Sequence, residues 1–144
     1  MAGKPVVVLD TNVFVSGLLS PNGVPGVILQ RFRERQFAIA TSKAQVREIQ
    51  AVLRRPSLVR ALPKGTAREV VRFFVKFKRL TRVYNPPKLP WDFGDRDDHF
   101  LLDLAVFSKA QFLVTGDKAL RKLTRVGQCS VVLPVEFIAQ LQTS

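Results

Sequence analysis

Four carboxylates stand where a chain of this pattern would present them to a ligand: Asp10, Glu48, Asp98 and Asp117. Asp10 directly follows the run Val6-Val7-Val8-Leu9, and Asp117 follows Phe112-Leu113-Val114-Thr115. An unalternating apolar run suits a strand buried on both faces of a parallel sheet. Ligands of such sheets bind beyond the carboxyl ends of the strands, where the strand order reverses. Asp98 falls in the first turn of a helix predicted after a proline-rich loop, where the helix dipole favours an anion. Glu48 lies beside the apolar face of a helix predicted to flank the sheet. Carboxylates from four separate elements make an oxygen-only donor set suited to Mg²⁺ or Mn²⁺. Two such ions ~3.5–4 Å apart clamp the attacking and leaving oxygens of a phosphodiester. Gathered like charges repel one another and call for a cation. With one cysteine, Cys129, and one histidine, His99, there is no zinc set and no internal disulfide.

Each acid also has a plain structural use. Asp10 and Asp98 suit N-caps, Asp117 in Thr-Gly-Asp-Lys suits a turn, and Glu48 suits a surface pair with Lys43. Against this, an acid abutting four buried apolar residues, as Asp10 does, is costly without a partner.

The charge is unevenly laid out. The chain has 23 Lys+Arg and 11 Asp+Glu, net +12. Residues 31–82 hold 15 of the cations against Glu34, Glu48 and Glu69, so the middle of the chain carries the whole excess. Asp92, Asp95, Asp97, Asp98 and Asp103 crowd five of the acids into twelve positions. A basic surface around an acidic pocket fits a polyanion that meets a divalent cation there.

The elements that must position these groups follow from apolar spacing. Residues 6–9, 37–40, 112–115 and 130–133 read as strands. Val27, Ile28, Leu29 and Phe32 space a helix to about residue 35. Thr41 or Ser42 caps a helix with Val46, Ile49, Val52 and Leu53 on one face, ending before Pro56. Thr66-Ala67-Arg68-Glu69 fits a capping box opening a helix to about residue 79, with Val70, Phe73, Phe74 and Phe77 apolar and Arg68, Arg72 and Lys76 forming a cationic stripe. That stripe is either a solvated face or an RNA contact. Residues 85–97, with three prolines and a glycine, are irregular. Phe100, Leu101, Leu104, Ala105 and Phe107 then repeat as a buried helical face. A short helix follows Asp117, and Pro134 starts a last helix with Val135, Ile138 and Leu141 inside. Trp91 and Phe93 lie beside the acids, where an aromatic either stacks a base or pins the loop. His99 is read as structural.

This alternation predicts one α/β domain over residues 1–144 with a mostly parallel sheet. At 47% hydrophobic and 24% charged residues the composition is globular. The early run of four apolar residues is short of a signal-peptide core of ~7–15, and no stretch approaches the ~18 of a membrane span. A cytoplasmic setting is therefore expected.

Four stretches together resemble the PIN-domain ribonucleases, in particular the VapC-like toxins of toxin–antitoxin pairs. They are Val7-Val8-Leu9-Asp10-Thr11-Asn12-Val13, the helix carrying Glu48, Asp95-Arg96-Asp97-Asp98-His99-Phe100-Leu101, and Val114-Thr115-Gly116-Asp117. The resemblance implies that Asp10, Glu48, Asp98 and Asp117 form the catalytic metal-binding quartet. It makes Asn12 and Thr115 its orienting neighbours, and Asp95 and Asp97 substitutes or auxiliaries. It further implies a three-layer α/β/α fold with a five-stranded sheet of order 3-2-1-4-5, endoribonuclease activity leaving a 5′-phosphate and a 3′-hydroxyl, a small antitoxin partner and a homodimer. Two other readings share these residues. One is a catalytically silent module binding nucleic acid or protein. The other is an aspartyl-phosphate phosphatase or receiver domain, disfavoured because Asn12 is not a second acid and +12 is an odd charge for a receiver.

Overall fold

The β-branched run at the start of the chain becomes the centre of the sheet. In the computed structural model, which describes residues 3–92 and 98–143, β1 (Val6–Leu9) pairs in parallel with β2 (Ala38–Ser42) on one side and β4 (Phe112–Val114) on the other. Beyond β2 lies β3 (Arg82–Tyr84), beyond β4 lies β6 (Cys129–Val132), and β5 (Arg125–Val126) joins β6 antiparallel at that edge. The order is β3-β2-β1-β4-β6-β5. The five parallel strands keep the expected order, and the two-residue strand is an addition to it.

Alternate side chains of β1 feed the two cores. Val7 and Leu9 join a core with α1 (Thr11–Leu19), α2 (Val24–Arg33), α3 (Lys43–Leu53), α5 (Thr66–Leu80) and α8 (Pro134–Thr143). Val8 joins the opposite core with α6 (His99–Phe107) and α7 (Lys118–Arg121). The short α4 (Pro56–Ala61) buries no side chain completely, though its Leu58 packs on the first core. Phenylalanines lock the first core: Phe14 meets Phe74 and Phe77 edge-on at 6.0 Å each, and Phe137 meets Phe37 at 5.0 Å. Each side chain so buried contributes roughly 1.5–3 kcal/mol. Cys129, buried on β6, has its thiol pushed up to about 12 by that burial, with the charge of Arg125 pulling the other way.

Several sequence expectations are corrected by packing. The α5 stripe that is buried is Val70, Phe74 and Phe77, while Phe73, at its margin, is 42% exposed. In α8 the inward residue is Phe137, with Ile138 and Leu141 partly covered, and Val135 turns out to solvent at 60% exposure. Phe107 ends α6 half exposed against the ring of Tyr84. Thr66 does not cap α5: Gly65, in the left-handed region at φ 90°, takes the cap position and makes Thr66 the first helical residue. Ser42, of the two candidates, caps α3 by accepting from the Gln45 N–H at 3.1 Å. Asp95, Asp97 and Phe93 lie outside the described residues.

Candidate active site

β1 and β4 are adjacent but lead into connections on opposite faces of the sheet, so their carboxyl ends open the crevice of a strand-order reversal. Asp10 and Asp117 both occupy it, joined through one hydroxyl. Buried Thr115 donates its Oγ1–H to Asp10 Oδ2 at 2.6 Å, and the same Oγ1 accepts from the Asp117 N–H at 3.0 Å. Asp10 Oδ1 accepts from the Asn12 N–H at 3.3 Å and so caps α1. Asp117 Oδ1 caps α7, accepting from the N–H groups of Ala119 at 2.7 Å and Leu120 at 3.4 Å. Both acids are therefore caps, and the capping geometry holds each carboxylate at the mouth of the crevice. Asn12 contributes its backbone N–H to this arrangement, and its side chain is exposed.

Glu48 is placed by a residue that apolar spacing does not reveal. Gln45, 1% exposed, donates its side-chain N–H to the carbonyl of Leu9 and accepts from Thr41 Oγ1 at 2.6 Å. That pair of bonds docks the first turn of α3 onto the backbone beside Asp10. Glu48, one turn later on the same side of the helix, lines a cavity of about 810 Å³ with Ser42, Lys43, Arg47, Trp91 and His99. Asp98 sits at the N-cap of α6, half-buried, and its side chain makes no capping bond. The next residue, His99, lines the cavity that Glu48 lines.

A second missed residue is Asp103. It is 5% exposed, and its Oδ1 accepts from the Leu89 N–H at 3.0 Å and from the indole Nε1–H of Trp91 at 2.6 Å. Buried carboxylates are tolerated when hydrogen bonds replace water. Trp91 thus pins the proline-rich segment to α6. The five-acid crowding was the visible signal for Asp103, but nothing local distinguishes it from its neighbours.

The donors at the crevice are hard oxygens, the chemistry that suits Mg²⁺ or Mn²⁺. The Asp10 carboxylate and the Asp117 backbone N–H meet on the Thr115 hydroxyl, while Glu48 and Asp98 stand on α3 and α6. Among the described residues, no three His, Cys, Asp or Glu side chains form a group that would hold a metal ion. Arg68, Arg72 and Lys76 are exposed on α5 and line shallow grooves with Val71 and Val75, not the cavity of Glu48.

The PIN-domain sequence pattern matches residues 6–119, from the first residue of β1 into α7. The chain belongs to the PIN-domain family. A PIN domain is a nuclease-type fold, and the matched stretch contains Asp10, Glu48, Asp98, Thr115 and Asp117. The similarity extends past the PIN domain itself. A protein of Methanocaldococcus jannaschii, described only as uncharacterized, is 35% identical over 147 residues, covering 96% of this chain and 93% of the relative. Among the described residues of this PIN domain, no single helix is long and apolar enough to cross a membrane.

Proposed function

We propose that the chain is a metal-dependent endoribonuclease that hydrolyses RNA phosphodiester bonds. The observation that carries this reading is the hydroxyl of Thr115 linking the Asp10 carboxylate to the Asp117 backbone N–H at the reversal of strand order. Asp10, Glu48, Asp98 and Asp117 would hold Mg²⁺ or Mn²⁺, which when bound supplies Lewis-acid stabilisation and an activated water for phosphodiester cleavage. The chain's own residues do the rest. Thr115 holds one oxygen of Asp10 by its hydroxyl, which orients the carboxylate. The caps on α1 and α7 fix both acids before any ligand arrives, so little reorganisation is left for the reaction. Lys43 and Arg47, on the cavity wall beside Glu48, offset the repulsion between an acidic crevice and a phosphate backbone.

Metal removal is the direct test. Cleavage of a mixed single-stranded and structured RNA stops in EDTA and returns with Mn²⁺ or Mg²⁺, leaving a 5′-phosphate and a 3′-hydroxyl. Cleavage that persists in EDTA would sink the reading.

The alternative is a catalytically silent module that keeps this fold for binding nucleic acid or protein. It predicts RNA binding that ignores chelators and no cleavage by apo or metal-supplied protein.

Contact of Arg68, Arg72 and Lys76 with RNA, a cytoplasmic setting, a homodimer and the role of toxin neutralised by a small antitoxin belong to the same proposal. Charge reversal of those three cations flattens the salt dependence of RNA binding if they touch phosphates, and leaves it unchanged if they are only solvated.

A further inference from the structure

The cavity beside Glu48 has a construction that neither metal binding nor cleavage requires. At about 810 Å³ it is the size of a small-ligand pocket, ~300–1,000 Å³. Lys43 and Arg47 line it from α3, and Lys88 lines it from the proline-rich segment. Trp91 supplies an aromatic wall. That wall is rigidly mounted: buried Asp103 takes the indole N–H at 2.6 Å and the backbone N–H of Leu89 at 3.0 Å on one oxygen. A carboxylate withdrawn from water to hold an indole edge fixes the plane of the ring. A ring held in advance loses little conformational freedom when a flat ligand stacks on it.

Three cations with one immobilised aromatic suit a ligand with anionic phosphates and a π-face. Single-stranded RNA offers both, and bases stacked inside a duplex do not. We infer that this cavity is a nucleotide subsite, in which a base of single-stranded RNA stacks on Trp91 while Lys43, Arg47 and Lys88 hold its phosphates. Asp103 is the positioning residue that orients Trp91. The subsite rests on the endoribonuclease reading and adds to it: Glu48 is shared by the cavity and the proposed catalytic set, so the seated nucleotide lies beside one of the four acids.

Trp91 is the single tryptophan of the chain, so its fluorescence reports on this cavity alone. Wild-type protein in EDTA is titrated with a six-nucleotide single-stranded RNA and with an abasic strand of equal length. The base-bearing strand quenches Trp91 and binds about tenfold or more tighter than the abasic strand, the range expected of one stacked base. Followed by anisotropy of a labelled strand, Trp91→Ala loses about tenfold in affinity and Trp91→Phe regains most of it. Asp103→Leu, which removes the acceptor of both bonds, weakens quenching more than it weakens binding of the abasic strand. RNA bound with unchanged Trp91 emission, equal quenching by both strands, or full affinity in Trp91→Ala would each overturn the subsite. Cleavage by metal-supplied wild type separates the two readings. Intact cleavage with any of those results removes the subsite and leaves the nuclease, whereas quenching without cleavage keeps the subsite and removes the nuclease.

Discussion

Asp10→Asn lowers RNA cleavage by on the order of a hundredfold to a thousandfold and leaves the melting temperature nearly unchanged. The two halves of this result have separate causes. Asn is as good an N-cap as Asp: its amide oxygen still accepts the Asn12 N–H, and its amide N–H can donate to Thr115 Oγ1 with that bond reversed in direction, so α1 and the β1–β4 junction stay held. What disappears is the negative charge at the end of the central strand. That charge is what would hold the metal ion, and losing one group on which electrostatic stabilisation of the reaction depends costs roughly two to three orders of magnitude in rate. The measurement is a single-turnover cleavage rate beside a thermal melt of the same preparation. A variant that cuts within about threefold of wild type would show that Asp10 is only a cap. A variant that melts far below wild type would show that the charge serves the fold.

Gly26→Ala has the opposite profile, with a large loss of stability expected from a single methyl group. Gly26 is the third residue of α2, and a Cβ there would lie 2.2 Å from the Pro21 carbonyl oxygen, 2.4 Å from its carbon and 2.6 Å from its Cα. All three are backbone atoms, so no side chain can swing aside. At a neighbouring contact between the same two helices, a Cβ on Gly17 would meet Leu29 Cδ1 at 2.7 Å and the Pro25 carbonyl oxygen at 2.8 Å. The turn between α1 and α2 is therefore closed on glycine surfaces, and opening it lifts α2 from α1. Overpacking usually costs about 1–3 kcal/mol and more when only backbone can yield, so a loss near the top of that range is expected. For a domain of this size that lowers the melting temperature by about 10 °C. Gly116→Ala is the control, since a Cβ there meets nothing within 4 Å, and its melting temperature stays close to wild type. Equal melting temperatures for the two variants would refute the close-contact explanation.

Much of the site was legible because its signals are local. A run of β-branched residues ending in Asp10, another apolar run ending shortly before Asp117, and caps that start helices all act over a few residues. They announced a parallel sheet and two strand-end acids. The helix bearing Glu48 was equally visible from Val46, Ile49 and Leu53, buried as one stripe. The strand β3 was not, because three residues with no fully buried member carry little pattern and are made a strand by the parallel edge of β2. The same holds for β5, which exists through its antiparallel pairing with β6.

Side-chain roles divided along the same line. The residue pattern by itself determined the fold class and the positions of Asp10, Glu48, Asp98 and Asp117 relative to their own elements, while the strand order of the parallel part came from the resemblance to the PIN-domain family. The resemblance had marked Thr115 as a neighbour of the acids, and tertiary structure decided how it acts, its one hydroxyl bonding the Asp10 carboxylate across 105 residues of chain and the Asp117 backbone N–H. Tertiary structure alone decided that Gln45 docks α3 on the Leu9 carbonyl and that Asp103, among five clustered acids, is the one withdrawn from water to hold Trp91. The reason is physical: apolar periodicity and caps are set by neighbours along the chain, whereas the partner of a buried polar group is set by whichever distant backbone or side chain the packed sheet brings within hydrogen-bond reach.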